Sequence, residues 1–559
     1  MADPSPSGAA GAYVFKPHER PFMPGSPASP DHPAPRKFAY LLIGLYLAII
    51  AGFQNGLLIA NLTVLQGHLD LTPVDTGWVT VAYNMTNACM SILLYKSRQQ
   101  FGIQRFVRVI MIALLIANFL QLFDAGYRME LVARGVSGIA ASGLTTLAAF
   151  YLMQGFPQEK RIAGFLLAIG LAQVAVPLAR AISPLLLADG DVYNLFVFQF
   201  ALSLVAVGLV NILHLPPGET IRSFEKLDLL TFPMLAAGVG LLCAFLVQGR
   251  IVWWTTPWLG AALAVSVLLI GAAFLIEHNR ANPMLQTRWM GSRDLVKFAL
   301  TGALVRVLTS EQNFGSTGLL STIGLVSDQL VPYYAVLSVA TLAGALLAIV
   351  TLNPADLRRQ TLVSLAVIAF GAFLDTHSGL RTGPVNLYFS QAAIAFAAVY
   401  FMGPMLMEGL LRALSKGPSY LVSFVGVFSL SQTLGGLAGV AALSAFHTLR
   451  TKAHLITFAN SISPADPEVA QGIGRIAAAQ AGTMTDPALR SAVAGAQVVR
   501  EAIREATILA YNDVFFVIGS LAALAFVLMF ARWIHDRRRG HNPLAAELAA
   551  LQKMRAGNQ

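Results

Sequence analysis

Apolar blocks of about twenty residues recur along this chain, and they constrain its fold more than any other feature. A helix needs about 20 predominantly apolar residues to cross the ~30 Å hydrocarbon core of a bilayer. Barrel strands would alternate apolar and polar residues over about ten positions, so the blocks exclude a transmembrane β-barrel. Windows of about nineteen residues define fourteen segments: 38–62, 76–95, 104–124, 129–152, 161–187, 193–213, 227–248, 255–277, 295–322, 331–352, 359–376, 387–412, 418–446 and 511–533. The sequence therefore predicts an all-α polytopic membrane protein with fourteen transmembrane helices.

Charged residues are scarce and lie mainly between the apolar blocks. They form 12% of the 559 residues, whereas soluble proteins are nearer a quarter charged, which excludes an ordinary soluble enzyme. The net charge of +10 would suggest a nucleic-acid partner in a soluble protein, but here the basic residues act as insertion signals in the connections. Cys89 and Cys243 are too few and too deep in apolar blocks for a disulfide framework or a metal cluster. We expect no metal, no cofactor and no nucleic-acid partner.

The connections alternate in charge along the chain, which predicts the orientation of the protein. Loops on one side carry basic groups, such as Lys96 and Arg98 after the second helix, and they face the cytoplasm by the positive-inside rule. The opposite loops carry acidic residues: Asp70, Asp75, Asp124, Asp189, Asp191, Asp328 and Asp375. Both termini are therefore predicted to be cytoplasmic, as a proline-rich disordered tail over 1–37 and a basic tail over 534–559.

One extracytoplasmic connection, residues 447–510, is much longer than the others. The stretch from Pro487 to Leu509 has an apolar pattern at helical spacing, so we expect a helical hairpin outside the membrane. This hairpin has two interpretations. It is either a cap over the outer mouth of the bundle, which we favour, or a docking site for a periplasmic partner.

Four charged residues lie inside predicted helices without an obvious local partner: Arg134, Arg180, Arg306 and Glu311. A charge at the bilayer centre costs about 2.5–3.5 kcal/mol, so each of them needs a partner or a purpose. Arg180 shares a helical face with Gln173, seven residues earlier. That face either lines a cavity or lets Arg180 snorkel to the outer interface.

Arg306 and Glu311 stand about 140° apart around one helix, so they should not pair with each other. Glu311 precedes Gln312 and Asn313, and this run is poorly suited to face lipid. A cavity-facing carboxylate removed from water can load and release protons near neutral pH. The alternative is that 306–313 breaks the helix or lies nearer the surface.

Amides in other helices, such as Asn55 in the first and Asn84 in the second, more often form interhelical hydrogen bonds than bind ligands. Together, however, the polar residues of several helices indicate a central cavity. The candidate substrate-binding residues are Arg180, Arg306, Gln173, Asn55, Asn84 and Asn313.

Several motifs occur in the order found in a known transporter family. The run from Arg134 to Gly138 in the fourth helix resembles the Arg-x-x-x-Gly motif of the major facilitator superfamily. Trp78 and Tyr83 are similar to the Trp-x-x-x-x-Tyr of its fourteen-span drug:proton antiporters, of the EmrB and QacA kind. Residues 431–439 resemble a later landmark in the thirteenth helix. The resemblance covers roughly residues 38–535.

This resemblance implies a major facilitator fold, with six-helix bundles over 38–213 and 295–533 and two inserted helices over 227–277. It implies alternating access and proton-driven export of small amphipathic compounds or drugs across a bacterial inner membrane. Arg134 matches an arginine thought to take part in proton coupling in the family. The implied partners are a small-molecule substrate, protons, membrane lipid and a periplasmic adaptor protein.

Two departures from the family pattern bear on the mechanism. Gly56 occupies a position where family members commonly carry an acid, and residues 176–181 read Val-Pro-Leu-Ala-Arg-Ala instead of Gly-Pro-x-x-Gly-Gly. We therefore expect the proton carrier to be Glu311, and we expect Arg180 and Arg306 to favour organic anions. Two alternatives remain on the same fold: an uptake permease, and a non-transporting scaffold or receptor.

Overall fold

The computed structural model describes residues 19, 21, 25–123, 126–157, 160–187, 190–417, 419–461, 467–540 and 544–549. Asp124, Asp189, most of residues 1–24 and residues 550–559 lie outside this part of the chain. The described residues are mainly helical and contain no β-strand, only an isolated bridge between Pro27 and Gly218. The predicted all-α fold class is confirmed.

The helices follow one another in three groups. The N-terminal half contains α1 (Ala34–Ala60), α2 (Leu62–His68), α3 (Pro73–Phe101), α4 (Ile103–Leu120), α5 (Tyr127–Gly155), α6 (Arg161–Leu186) and α7 (Tyr193–Ile212). The middle group is α8 (Asp228–Val252) and α9 (Pro257–His278). The C-terminal half contains α10 (Thr287–Met290), α11 (Arg293–Thr309), a π-helical segment (Gln312–Ser316), α12 (Thr317–Ile323), α13 (Val331–Val350), α14 (Leu357–Leu374), α15 (Pro384–Tyr400), α16 (Met402–Lys416), α17 (Tyr420–Ser461), α18 (Pro467–Ala479) and α19 (Pro487–Arg538).

Each predicted span coincides with a helix or with consecutive helices. In the described part of the chain, 12 helical stretches are long and apolar enough to cross a membrane. The spans in α3 and in α11–α12 do not reach this threshold, so the count of fourteen stays a prediction. α3 is less apolar because it carries polar residues such as Thr80, Asn84 and Ser91 toward a cavity, and the π-helical segment interrupts α11–α12.

Small residues let neighbouring helices approach closely. At Gly138 of α5, an added Cβ would lie 2.1 Å from Thr86 Oγ1 and 2.5 Å from the carbonyl oxygen of Tyr83, both on α3. The two halves of the protein meet where α6 packs against α13 and where α3 packs against α17. α8 packs against α3 and α17, which places the middle group beside the junction of the halves.

Residues 25–33, which composition assigned to a disordered tail, pack against the N-terminal half. The Ala28 amide donates a 2.8 Å hydrogen bond to the Pro217 carbonyl, and Gln154 Nε2 donates a 2.7 Å bond to the Ala28 carbonyl. Arg161 Nη2 donates to the Ser29 carbonyl at 3.1 Å. These long-range bonds order a segment whose proline content alone suggested disorder.

The connection 447–510 contains the helical hairpin that its apolar pattern predicted. It is formed by the end of α17, by α18 and by the beginning of α19, and α18 packs against α19. Asp513 of α19 ties the two long helices together, because it accepts 2.7 Å hydrogen bonds from Arg450 Nε and His454 Nε2 of α17.

Candidate functional site

A central cavity of about 490 Å³ lies between the two halves. It is lined by α1 to α6 of the N-terminal half, by α11, the π-helical segment, α16 and α17 of the C-terminal half, and by α8. Its volume falls within the ~300–1,000 Å³ typical of small-molecule sites. Aromatic side chains supply much of the apolar wall: Phe106, Phe150, Phe165, Phe424 and Phe428.

The charged residues of the cavity wall are all arginines. Within the described residues, the wall contains Arg98, Arg180, Arg250 and Arg306 but no Asp, Glu, Lys or His. Like charges around a water-poor space repel one another, and each has lost part of its hydration. An anion bound in the cavity would offset both effects.

Arg180 projects from α6 toward the C-terminal half. Two prolines, Pro177 and Pro184, lie within α6, where a proline bends a helix because it removes a backbone hydrogen bond. Arg180 Nη1 donates a 2.8 Å hydrogen bond to Thr317 Oγ1, and its guanidinium lies 5.3 Å from the ring centroid of Tyr334. Arg180 therefore has protein partners on the opposite side of the cavity.

Arg306 and Arg250 lack such partners. Within the described residues, neither side chain forms a hydrogen bond or an ion pair, although both line the cavity. Arg306 lies beside α17, where a Cβ added at Gly436 would be in ordinary van der Waals contact with Arg306 Nε, at 3.4 Å. The partner expected for Arg306 on another helix is thus absent from the described part of the chain.

Sequence reasoning assigned Arg98 to a cytoplasmic loop and did not consider Arg250. α3 extends through Arg98, which is 3% exposed. Its guanidinium lies 4.6 Å from the ring centroids of both Tyr95 and Phe150. Basic residues near helix ends were interpreted as signals of membrane orientation. No local sequence pattern distinguishes an arginine in a cytoplasmic loop from one whose side chain lines the cavity.

Arg134 lies behind the cavity wall. It is 1% exposed, and its Nη1 donates a 2.6 Å hydrogen bond to the Gln54 carbonyl, while Nη2 donates a 2.8 Å bond to Asn55 Oδ1. Asn55 lines the cavity and so connects the buried guanidinium to it. Glu130, one turn earlier on α5, was missed by sequence reasoning; it is buried and accepts a 3.1 Å bond from Gln121 Nε2.

Glu311 also lies behind the cavity wall, although the sequence suggested that it faces the cavity. It is 0% exposed, and its Oε1 accepts hydrogen bonds from Gln391 Nε2 at 3.1 Å and from the Ser316 amide at 3.2 Å. α11 ends at Thr309 and the π-helical segment follows, so the helix is interrupted here, as the alternative interpretation of 306–313 proposed.

Asp375 was assigned to an outer loop, but it is 2% exposed and accepts a 2.7 Å hydrogen bond from Gln391 Nε2. The acid begins a single 3₁₀ turn, which follows α14 and packs against α19. Asp375, which the sequence predicts to lie in a loop, is therefore buried in the folded protein, where it contacts Gln391, 16 positions later in the chain.

The structure divides the sequence-predicted site residues into two groups. Arg134 and Glu311, the candidates for proton coupling, are buried behind the cavity. The candidates for substrate binding all line it: Asn55, Asn84, Gln173, Arg180, Arg306 and Asn313.

Comparison with known proteins agrees with the fold. No family model matches the chain. It is 23% identical over 457 residues to the multidrug export protein EmrB of Escherichia coli (strain K12), covering 78% of this chain and 85% of EmrB. It is 23% identical over 375 residues to the major facilitator superfamily multidrug transporter mfsC of Aspergillus fumigatus, covering 65% of this chain and 70% of that protein.

Among solved structures, the human organic anion transporter MFSD10 shares the fold, with a TM-score of 0.53 and 12% sequence identity, over 88% of this chain and 100% of that one. The motif order, the helical fold and these matches lead to one assignment. The chain has the major facilitator fold, and the proteins that it resembles in sequence are multidrug transporters such as EmrB and mfsC.

Proposed function

We propose that this protein exports small amphipathic organic compounds, with a preference for organic anions, by proton-coupled alternating access. The observation that carries the proposal is the charge of the cavity wall, in which arginines occur without any acidic residue among the described residues. The named relatives are transporters and exporters, which supports a transporter rather than an enzyme and supports export over uptake.

Arginine suits the recognition of anions in a buried site. Its guanidinium is planar, stays charged, and can donate two parallel hydrogen bonds to one carboxylate or phosphate. Arg306 and Arg250 have no described protein partner, so their donors are available to a ligand. The phenylalanines of the same wall would hold the apolar part of an amphipathic molecule, because burying apolar surface is favourable by about 25 cal/mol per Å².

Proton coupling is supported by buried acids that lie close to the cavity but outside its wall. Glu311 is one of them, and Arg134 contacts the cavity through Asn55. We place the protein in a bacterial inner membrane with both termini in the cytoplasm, as the basic loops predict. In that orientation the hairpin of α17, α18 and α19 projects outside, where it caps the bundle or contacts a periplasmic adaptor protein.

Transport in proteoliposomes tests the proposal. The probe is 1-naphthalenesulfonate, an amphipathic anion that stays charged and does not carry protons across the bilayer by itself. We expect an imposed pH gradient to drive its accumulation. We expect Arg306→Ala to lower this uptake about tenfold, because the variant loses one charge-assisted hydrogen bond to the anion. Arg381→Ala is the control, because Arg381 is exposed and outside the cavity.

Tetraphenylphosphonium, an amphipathic cation, is the second probe. The proposal predicts weak transport of this cation by the wild-type protein. Two results would contradict the preference for anions. One is preferential transport of the cation, and the other is naphthalenesulfonate transport that neither Arg306→Ala nor Arg180→Ala changes. Anion accumulation that ignores the pH gradient would contradict proton coupling.

A further inference from the structure

Two carboxyl groups of the C-terminal half are joined by one glutamine side chain. Gln391 Nε2 donates a 3.1 Å hydrogen bond to Glu311 Oε1 and a 2.7 Å hydrogen bond to Asp375 Oδ2. The three residues come from three elements, since Glu311 precedes the π-helical segment, Asp375 follows α14, and Gln391 lies in α15. All three side chains are almost fully buried.

Among the described residues, no basic side chain is in ion-pair contact with this pair of acids. Within the described residues, neither Glu311 nor Asp375 forms an ion pair, and the charged neighbour of Glu311 is Asp375 itself. Two carboxylates that share a water-poor site resist simultaneous ionisation, and an unpaired buried charge has a large desolvation cost. The pair is therefore expected to hold at least one proton.

Unpaired polar atoms at the same place are suited to a proton that binds and leaves. Glu311 Oε2 and Gln391 Oε1 are buried and have no hydrogen-bond partner among the described residues. A buried polar atom without a partner needs an explanation. A proton on either acid supplies a new donor, for which Gln391 Oε1 is an unfilled acceptor.

The other ionisable groups around the pair are few. Tyr333 comes from α13, and α19 and α17 contribute Tyr511 and His447. His447 Nε2 lies 3.2 Å from the carbonyl oxygen of Thr507, which holds its ring. α15 contributes the neutral Gln391. None of these three groups is a permanent cation. Arg180 bonds to Thr317, close in sequence to Ser316, and forms no ion pair with either acid among the described residues.

The π-helical segment connects this pair to the cavity. The Ser316 amide, at the end of the segment, donates to Glu311 Oε1. The next residue, Thr317, donates a 2.9 Å hydrogen bond to the Gln312 carbonyl and accepts the bond from Arg180. π-helical turns often occur at functional sites. A change of charge on Glu311 therefore acts on the segment that holds the Arg180 contact.

We propose that Glu311 and Asp375 together form the proton-binding site of the transport cycle, that the pair holds one proton on either acid while the Gln391 amide bridges them, and that the π-helical segment links this site to Arg180. The inference deepens the proposed function and rests on it, since it assumes proton-coupled transport. It assigns to Asp375 a role in coupling, and it separates the proton site from the substrate cavity.

The test compares two kinds of transport by reconstituted Glu311→Gln, Asp375→Asn and the double variant. One is accumulation of 1-naphthalenesulfonate driven by a pH gradient, and the other is exchange of the same anion at equal pH. Each single variant should lose driven accumulation about tenfold, within the usual range of coupling between sites, and should keep exchange. The double variant should be no worse than either single variant, because one shared proton is lost in all three.

Asp328→Asn is the matched control, an exposed acid in the connection after α12. Failure of the wild-type protein to move the anion would overturn the proposed function and, with it, the inference that rests on it. If the wild-type protein couples transport to protons and Asp375→Asn does so equally well, the inference alone is wrong. If Asp375→Asn loses exchange and Asp375→Glu does not restore exchange, the role of Asp375 is purely structural. That result would also overturn the inference.

Discussion

Arg180 of α6 donates a 2.8 Å hydrogen bond to Thr317 Oγ1, at the first residue of α12, and thereby joins the two halves of the protein at the cavity wall. The guanidinium also lies over the ring of Tyr334, on α13. This bond takes one of the five N–H donors of the guanidinium, so an anion that binds at the same N–H of Nη1 must displace Thr317. The Arg180–Thr317 bond therefore competes with substrate, and it breaks whenever the two halves separate on this side.

Removing this competitor should tighten anion binding. Thr317→Val keeps the shape of the side chain but removes the acceptor, and a hydrogen bond to a charged group contributes about 1.5–3 kcal/mol. We expect the Kd for 1-naphthalenesulfonate to fall about tenfold or more, measured by calorimetry on purified protein. Thr322→Val is the control, because Thr322 Oγ1 bonds to the Gly318 carbonyl of its own helix and not to Arg180. Equal or weaker binding by Thr317→Val would argue against competition.

Arg250 should contribute to anion affinity although sequence reasoning did not select it. It lines the cavity and has no partner among the described residues. Arg250→Gln removes the charge and retains polar atoms, so we expect the KM for the anion to rise about tenfold while uptake of an uncharged amphipathic compound changes little. Arg381→Gln serves as the control. An unchanged KM for the anion would exclude Arg250 from the binding site.

Asn55 should stabilise the buried guanidinium of Arg134. Asn55→Leu leaves Arg134 Nη2 without the acceptor that lies 2.8 Å away, and an unsatisfied bond to a charged group costs about 1.5–3 kcal/mol. We expect a lower Tm in a thermal-shift assay with the detergent-solubilised protein. Asn84→Leu provides the comparison, since Asn84 Nδ2 donates only to the Thr80 carbonyl of its own helix. Equal Tm values for the two variants would show that the Arg134–Asn55 bond adds no stability.

Gly138 should be required for the packing of α5 against α3. In Gly138→Ala, the added methyl group would meet Thr86 Oγ1 at 2.1 Å, and overpacking of this kind typically costs about 1–3 kcal/mol. We expect reduced Tm and reduced yield of folded protein in size-exclusion chromatography. Gly135→Ala is a matched control three residues away, because nothing lies within 4 Å of a Cβ at that position. Similar losses in both variants would contradict the close approach as the cause.

The positions of the helices could be predicted from the sequence because they depend on local properties. A block of about twenty apolar residues has the length that a bilayer requires, and each such block coincides with helical structure. The motifs around Arg134 and Tyr83 likewise pointed to the major facilitator superfamily without knowledge of any contact. The interruption near Glu311 was visible as a polar run inside an apolar block.

The partners of the polar residues could not be predicted in this way. Glu311 bonds to Gln391, 80 positions later, and Arg180 bonds to Thr317, 137 positions later. The direction in which a side chain points relative to other helices depends on how those helices pack, and the period of one helix does not contain that information.

The sequence by itself determined that this chain forms apolar helices, which of its charges are exceptional and which family it resembles. Only the tertiary structure decided which charges share a space. In the structure, Arg98 and Arg250 line the cavity, although the sequence assigned Arg98 to a loop and did not single out Arg250. Asp375 and Glu311 are bridged by the side chain of Gln391. The physical reason is that hydropathy acts residue by residue along the chain, whereas charges act through distance and burial, which arise only when the helices pack.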